Sequence, residues 1–448
     1  MSYIPNTDAD RAAMLDAVGV ATMDDLFSPI PEALRFAGEL NIPARMDQMT
    51  LMRHAERLAG QNKDAANFPC FLGAGLYDHY VPPTVGAIIG RAEFYTSYTP
   101  YQPELSQGVL QSIFEFQTLL CTLLGMDVAN ASMYDGATAL AEAAIMAAEL
   151  TGRTQLIVLD SVHPAHRDVL ETYVRPMSLT VDVVPSANGA GDFAALQDVL
   201  TQETAAVLVQ HPNFFGSLED MRALSDAAHA QGALLVASVD PVALGLLAPP
   251  GDYEADIVVG EGQGLGCPLG YGGPLLGLFA CKQGFLRRLP GRIVGQTTDA
   301  DGKRAFVMTL RTREQDIRRE RATSNICTNE ALYALAATVY LATMGKDGLR
   351  QVAELCLQKA HYAAREIAKL PGFALAFPGV PFFKEFVVTA PGDPAHINKA
   401  LLAQGIIGGL PLAGYYPGMG NAMLVCVTEQ RTREEIDTFV AALSSSAG

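Results

Sequence analysis

No lysine occurs anywhere between Lys63 and Lys282, and other absences bound the function before any motif is read. No run approaches the ~18 apolar residues a membrane span needs, although 49% of the residues are hydrophobic and mean hydropathy is +0.17. That apolar excess is expected in a buried sheet and a subunit interface, not in a membrane. Positive charge is scarce: 31 Lys and Arg against 48 Asp and Glu leave a net charge of −17. Such a surface repels a phosphate backbone, and no basic block with interleaved aromatics offsets it, so nucleic acid is not an expected partner. The seven cysteines, at positions 70, 121, 267, 281, 327, 356 and 426, are odd in number and never spaced CxxC. Reduced, mostly buried thiols are expected, not a disulfide frame or a zinc site. The start, "MSYIPNTDADR", carries no basic segment leading into an apolar stretch, so neither a secretory signal nor a transit peptide is expected, and a cytoplasmic location is.

At 448 residues, against about 150 per domain, two or three packed units are expected. Residues 1–50 alternate short helical patterns with proline stops and predict a helical arm. Residues 51–345 form the large domain. Its first part, through "NFPCFLGAGLYDHYVPPTVGAII" and "RAEFYTSYTPYQPELSQG", is rich in Gly, Pro and Tyr with little periodicity, a pattern of ordered loops that carry contacts or function. Two helical segments follow, "VLQSIFEFQTLLCTLLG" and "DGATALAEAAIMAAEL". From 155 onward, short apolar runs ("LIVLDS", "VDVVPS", "AAVLVQHP", "GALLVASVD", "ADIVVGEG") alternate with amphipathic helices such as "PAHRDVLETYV". Strands bounded by turn residues and linked by helices predict an α/β fold, a mostly parallel sheet covered by helices. Residues 346–448, with "FKEFVVTA", "MLVCVTE" and "TREEIDTFVAALSS", predict a smaller α+β domain.

Eight glycines fall between Gly260 and Gly277, in "GEGQGLGCPLGYGGP" and the strand after it. Their spacing matches neither G-x-x-x-x-G-K-[ST] nor a G-x-G-x-x-G after the first strand of a βαβ unit. Glycines that permit positive φ and close backbone approach, or a relic of a cofactor site, remain as readings. His163 and His166 in "HPAH" lie three apart, but Pro164 and the lack of a carboxylate pair argue against zinc, and no metal is expected. His211 and Asp240 each end a strand, where ligands bind in such sheets. Asp240 could pair with a pyridinium nitrogen or merely cap a helix. Tyr95, Tyr98 and Tyr101, with Gln102 and Glu104, form the densest polar-aromatic cluster, readable as packing, interface or site lining.

The stretches "YTSYTPYQPELSQG", "ANASMYDGATALAEA", "QHPNFFGSLED", "PLGYGGP", "RRERATSNICTNEAL" and "VCVTEQRTREEID" together resemble the P-protein family of the glycine cleavage system, specifically the first subunit of its two-subunit glycine decarboxylases. The resemblance spans the chain from "AVGVATMDDLFSPIP" to "TREEID". It implies pyridoxal-phosphate fold-type I architecture. In that family the catalytic chain carries a His-Lys-Thr segment shortly before a Pro and Gly run, and its lysine forms the Schiff base. Set against "GEGQGLGCPLGYGGP", that lysine position falls on Gln263, whose amide nitrogen cannot serve. Lys282 follows the next apolar run and is expected a strand's length out of place.

The resemblance therefore implies a subunit with no covalent catalytic residue. Pyridoxal phosphate is expected in a homologous subunit 2, joined in a heterodimer and doubled to a heterotetramer. The reaction implied is decarboxylation of glycine and transfer of the aminomethyl group to the lipoyl arm of H-protein. Vestigial-site candidates are His163, His211, Asp240 and Gln263. Candidates for lining the shared pocket or interface are His79, Tyr95, Tyr98, Tyr101 and Gln102. Two alternatives stay open: an independent pyridoxal-phosphate decarboxylase using Lys282 or a distant lysine, and a non-catalytic scaffold subunit.

Overall fold

The computed structural model describes residues 5–36 and 38–446. The chain divides into two units, Met1–Asn62 and Lys63–Gly448. The first holds helices Asp8–Val18 and Gln48–Ala59, and positions 1–4 and 37 of the expected arm lie outside the described residues. Thr7 and Asp10 close a reciprocal capping box that satisfies amides at the start of the first helix. No described residue of this unit is buried, so its apolar side chains, among them Phe27, Leu34, Phe36 and Ile42, stand exposed.

The second unit is built on seven strands: β1 (Val128–Ala129), β2 (Gln155–Leu159), β3 (Thr180–Val184), β6 (Thr204–His211), β7 (Leu234–Val239), β8 (Ile257–Glu261) and β9 (Gly277–Cys281), after a short hairpin of β4 (Ser186–Ala187) and β5 (Ala190–Gly191). Their spatial order is β1-β9-β8-β7-β6-β2-β3. Neighbours from β3 to β8 run parallel, whereas β9 is antiparallel to both β8 and β1. Alternation along each strand feeds two cores. Ile157, Val207, Leu235 and Val258 face one, with the helix that begins at Ala331, and Leu156, Leu208, Val236 and Ile257 face the other, with the helix Gly136–Thr151. A strand buried on both faces shows no polar alternation, which is why these segments read as continuous apolar runs.

A hairpin of β10 (Ile293–Thr298) and β11 (Arg304–Thr309) follows. The boundary expected at 345/346 falls inside the helix Ala331–Ile367, at a kink where Gly345 takes φ +60. Beyond it β12 (Ala374–Leu375), β13 (Glu385–Thr389), β14 (Leu410–Pro411) and β15 (Ala422–Cys426) form an antiparallel sheet in the order β12-β13-β15-β14. That sheet packs with helices Pro394–Ala403 and Arg433–Ser446 around its own core.

Candidate functional site

The parallel strands β2, β6, β7 and β8 all end on one side of the sheet, the edge at which α/β proteins bind ligands. A cleft of about 500 Å³ lies there, lined by His163 beyond β2, Gln210 of β6, Ser238 and Asp240 at the end of β7, and Glu261 of β8. Two further segments close it: Gly75 and Tyr77 from the loops before the sheet, and Phe383, Lys384 and Glu385 at the start of β13. The smaller domain thus places charged side chains over the sheet's ligand-binding edge.

Lys384 has a side chain only 2% exposed, and its Nζ lies 2.7 Å from Asp240 Oδ2. The same ammonium donates to His79 Nε2 at 2.9 Å and sits 3.3 Å from the centroid of the Tyr77 ring. Burial disfavours the charged lysine most strongly, but its surroundings, the Asp240 carboxylate first among them and then Cys426 and Cys356, together hold the pKa above the ordinary value. His79 is held in turn by Glu429, whose Oε2 lies 2.7 Å from Nδ1. Because Lys384 donates to Nε2, Nδ1 carries the proton given to Glu429. His79, Cys356 and Glu429 bring potential metal ligands within 4.8 Å of one another. With an ammonium on one side of the imidazole and its N–H on the other, no lone pair of His79 is free for a cation.

Glu385 follows Lys384 and is equally enclosed. It accepts from the Ala74 amide at 2.6 Å and the Tyr77 hydroxyl at 2.8 Å, and burial pushes its pKa up to about 7. Glu261 sits at the start of the helix Gly136–Thr151. Its oxygens accept from the amides of Gly136 at 2.9 Å, Gln263 at 3.0 Å and Leu276 at 2.9 Å. Burial raises its pKa to about 7 even though these amides favour the anion. A helix N-terminus is a ready anion seat, and here the chain's own carboxylate fills it.

Gln263 is buried at 2% exposure. Its Oε1 accepts from the Tyr77 amide at 2.9 Å, and Nε2 donates to Tyr77 O at 3.1 Å and Cys267 O at 2.7 Å. Every bond its side chain makes is to backbone, so it ties the glycine-rich loop to the Tyr77 segment. The loop itself packs closely: at Gly266, φ is +88 and an added Cβ would lie 2.8 Å from Tyr340 Cβ. Lys282 stands at the opposite end of the β8–β9 pair, ion-paired with Asp256 at 2.7 Å, far along the strand from Gln263.

His163 lines the cleft, its Nε2 donating to Ala74 O at 2.9 Å and its ring stacked on His166 at 4.7 Å. His211 ends β6, but its Nδ1 turns aside to accept from the Glu219 amide at 3.1 Å, and burial lowers its pKa to about 4. Gln210 and Pro212 line the cleft on either side of it. Of the residues expected at a shared entrance, His79 is 6% exposed and lies behind the cleft wall, bonded to Lys384 and Glu429, so it is not offered to a partner surface. Tyr95, Tyr98 and Tyr101 are 59%, 77% and 45% exposed, and Gln102 is exposed beside them. Tyr95 donates to Ile89 O at 2.6 Å. The Tyr101 hydroxyl accepts from buried Arg292 at 2.9 Å, with the Arg311 guanidinium 4.8 Å from its ring centroid.

Lys384, Glu385 and Glu261, which bring charge to the cleft beside Asp240, and the neutral Tyr77 were not among the sequence candidates. A signal existed: "FKEFVV" places two adjacent charges at the start of an apolar strand, where charges are buried only with partners. The pyridoxal phosphate implied by the family does not fit these residues. Gln263 cannot form the Schiff base, Asp240 already has a cation, and the anion seat at Gly136 already has a carboxylate.

A family model described as "Glycine cleavage system P-protein" matches residues 1–443. A chain from Desulforamulus reducens described as a probable glycine dehydrogenase (decarboxylating) subunit 1 is 53% identical over 445 residues, covering 99% of this chain and 100% of that one. A chain of the same description from Moorella thermoacetica is 54% identical over 443 residues, 99% of each. The crystal structure of a glycine decarboxylase (P-protein) of the glycine cleavage system, in inhibitor-bound form, matches with a TM-score of 0.91 and 43% identity over 100% of both chains. A NifS-like protein at 11% identity, covering 84% of this chain and 98% of that one, shares the fold with a TM-score of 0.62.

Proposed function

Since the chain belongs to the glycine cleavage system P-protein family, we propose that it serves as the non-lysine subunit of a heteromeric glycine dehydrogenase (decarboxylating). In this reading a homologous subunit 2 holds pyridoxal phosphate, the cofactor that acts as electron sink for glycine decarboxylation. The two chains together pass the aminomethyl group to the lipoyl arm of H-protein. The observation that carries the proposal is the setting of Gln263, which the resemblance puts at the family's lysine position: a buried side-chain amide whose hydrogen bonds all go to backbone. Its role is to hold the loop.

What this chain contributes is a surface. Tyr95, Tyr98, Tyr101 and Gln102 lie exposed on one loop segment, and Arg292, buried at 5% exposure, fixes Tyr101 from beneath. We assign this segment to the entrance of the partner's pocket, where hydroxyl and amide groups can orient a small polar substrate. The exposed apolar side chains of Met1–Asn62 supply area that a partner would cover, consistent with assembly as heterodimer or heterotetramer. A cytoplasmic location accords with the reading, and among the described residues no helix is long and apolar enough to cross a membrane.

The test is to purify the chain with and without its co-expressed partner, reduce with borohydride in the presence of pyridoxal phosphate, and map pyridoxyl-lysine by peptide mass spectrometry. Glycine–bicarbonate exchange is measured on aliquots of each sample withdrawn before reduction. Exchange only from the pair, with the label in the partner, is the expected result. Stoichiometric label on Lys282 or another lysine of this chain overturns it.

A further inference from the structure

Resting on that assignment of the cofactor to the partner, we infer that this chain's own cleft is closed to pyridoxal phosphate, bound covalently or not, because three of its side chains stand in for the cofactor's groups. The Lys384 ammonium takes the place of a protonated ring nitrogen at Asp240, the Glu261 carboxylate takes the place of a phosphate at the helix Gly136–Thr151, and Gln263 takes the place of the lysine.

Losing the lysine alone would not empty such a site. A pyridoxal ring needs a carboxylate for its ring nitrogen and amides for its phosphate, and both seats survive here. Asp240 still stands at the end of β7, and the amides of Gly136, Gln263 and Leu276 still converge beside the helix start. Each seat is filled from within. Asp240 Oδ2 is 2.7 Å from Lys384 Nζ, too close for a ring N–H to enter without expelling the ammonium. Lys384 is fully enclosed, with Asp240, His79 and the Tyr77 ring as its partners, so expulsion would strand a buried cation. Glu261 uses both oxygens on three amides, so a phosphate would have to displace a carboxylate and then face its charge. The three replacements come from different parts of the chain: Glu261 and Gln263 from the end of β8 and its loop, Lys384 from the smaller domain. The cleft keeps the shape of a cofactor site while its charges are already matched, so the chain folds without waiting for a ligand.

The experiment uses the complex with its partner, the partner's cofactor fixed by borohydride, and 4′-deoxypyridoxine 5′-phosphate as the probe. This analogue has no aldehyde and cannot react with any lysine, so calorimetric binding reports the non-covalent seats alone. The wild-type complex is expected to show no saturable binding up to about 1 mM, whereas Lys384→Met or Glu261→Ala each brings binding about tenfold or more tighter into range. The double variant binds tighter still, and Lys384→Arg, which keeps the cation, stays closed. Saturable binding by the wild-type chain overturns the inference, as does a folded double variant that still refuses the probe. Glu261→Ala stands independently if removal of Lys384 prevents folding. The location of the pyridoxyl-lysine label in the same reduced complex reports separately on the partner assignment: label in the partner with a closed wild-type cleft supports both, and label in the partner with an open cleft defeats this inference alone.

Discussion

Removing Lys384 tests the energetics of the cleft most directly. The Lys384–Asp240 pair is 2.7 Å apart, with side chains 2% and 12% exposed. Lys384→Met keeps the aliphatic stem but leaves the Asp240 carboxylate with only the Val242 amide, at 3.0 Å. Taking one partner from a buried ion pair costs about 3–5 kcal/mol, most of it the uncompensated charge left behind, and the lost contact with the Tyr77 ring can add up to ~2 kcal/mol. Asp240→Asn alone strands the ammonium and should cost about as much. In Lys384→Met/Asp240→Asn neither orphan charge remains, so the double variant should be more stable than the sum of the singles by about 2–3 kcal/mol. Equilibrium urea unfolding of the full chain, followed by circular dichroism and by tyrosine fluorescence, measures the cycle. Additivity within ~0.5 kcal/mol would mean that the pair is solvated and that the cleft is not closed by charge.

Tyr98, at 77% exposure, should matter to activity and not to folding. Tyr98→Phe is expected to leave assembly with the partner intact and to lower glycine–bicarbonate exchange roughly tenfold, the loss of one hydrogen bond to a charged group; unchanged exchange removes Tyr98 from the entrance. Gly216 has φ +83, and a Cβ there would lie 2.0 Å from Glu385 O, so Gly216→Ala should destabilise by more than about 3 kcal/mol and lower the yield of folded chain, read by thermal unfolding. Burial lowers the pKa of His211 from 6.5 to about 4 and that of His166 to about 3. Their neutral forms therefore contribute stability that is complete above pH 6.5 and lost as pH falls through that window, each by about 1.4 kcal/mol per pH unit. His211→Asn should flatten the acid limb of the stability–pH curve between pH 6.5 and 4 relative to wild type; an unchanged slope would show that His211 titrates normally. Glu261 and Glu385, both raised to about 7, act in the opposite sense but are common to both proteins, so the difference isolates His211.

The periodicity of residues 155–262 was enough to place the strands, because each buried strand and each capped helix is set by neighbours within a few residues. "PAHRDVLETYV" is the helix Pro164–Val174 residue for residue, with Pro164 at its first turn, where no amide partner is lost. The lysine gap, too, was visible in the chain alone, and with the family resemblance it directed attention to Gln263. The fold and the lysine-free stretch were therefore legible without coordinates.

Which charges meet in the cleft was not legible, since it depends on groups that meet only after the two domains pack. Lys384 reads locally as one charge in "FKEFVV", with nothing nearby to say that it crosses to Asp240 at the end of β7. Glu261 reads as the last residue of a strand, and only the packing of the helix Gly136–Thr151 against the sheet brings it beside the amide of Gly136. His79 and His211 were chosen by position along the chain, but packing buried the first against Lys384 and turned the second away toward Glu219. Local sequence determined the elements and the stretch without lysine. Tertiary structure decided which charges neutralise one another, because a buried charge is tolerated only where a distant partner is brought to it.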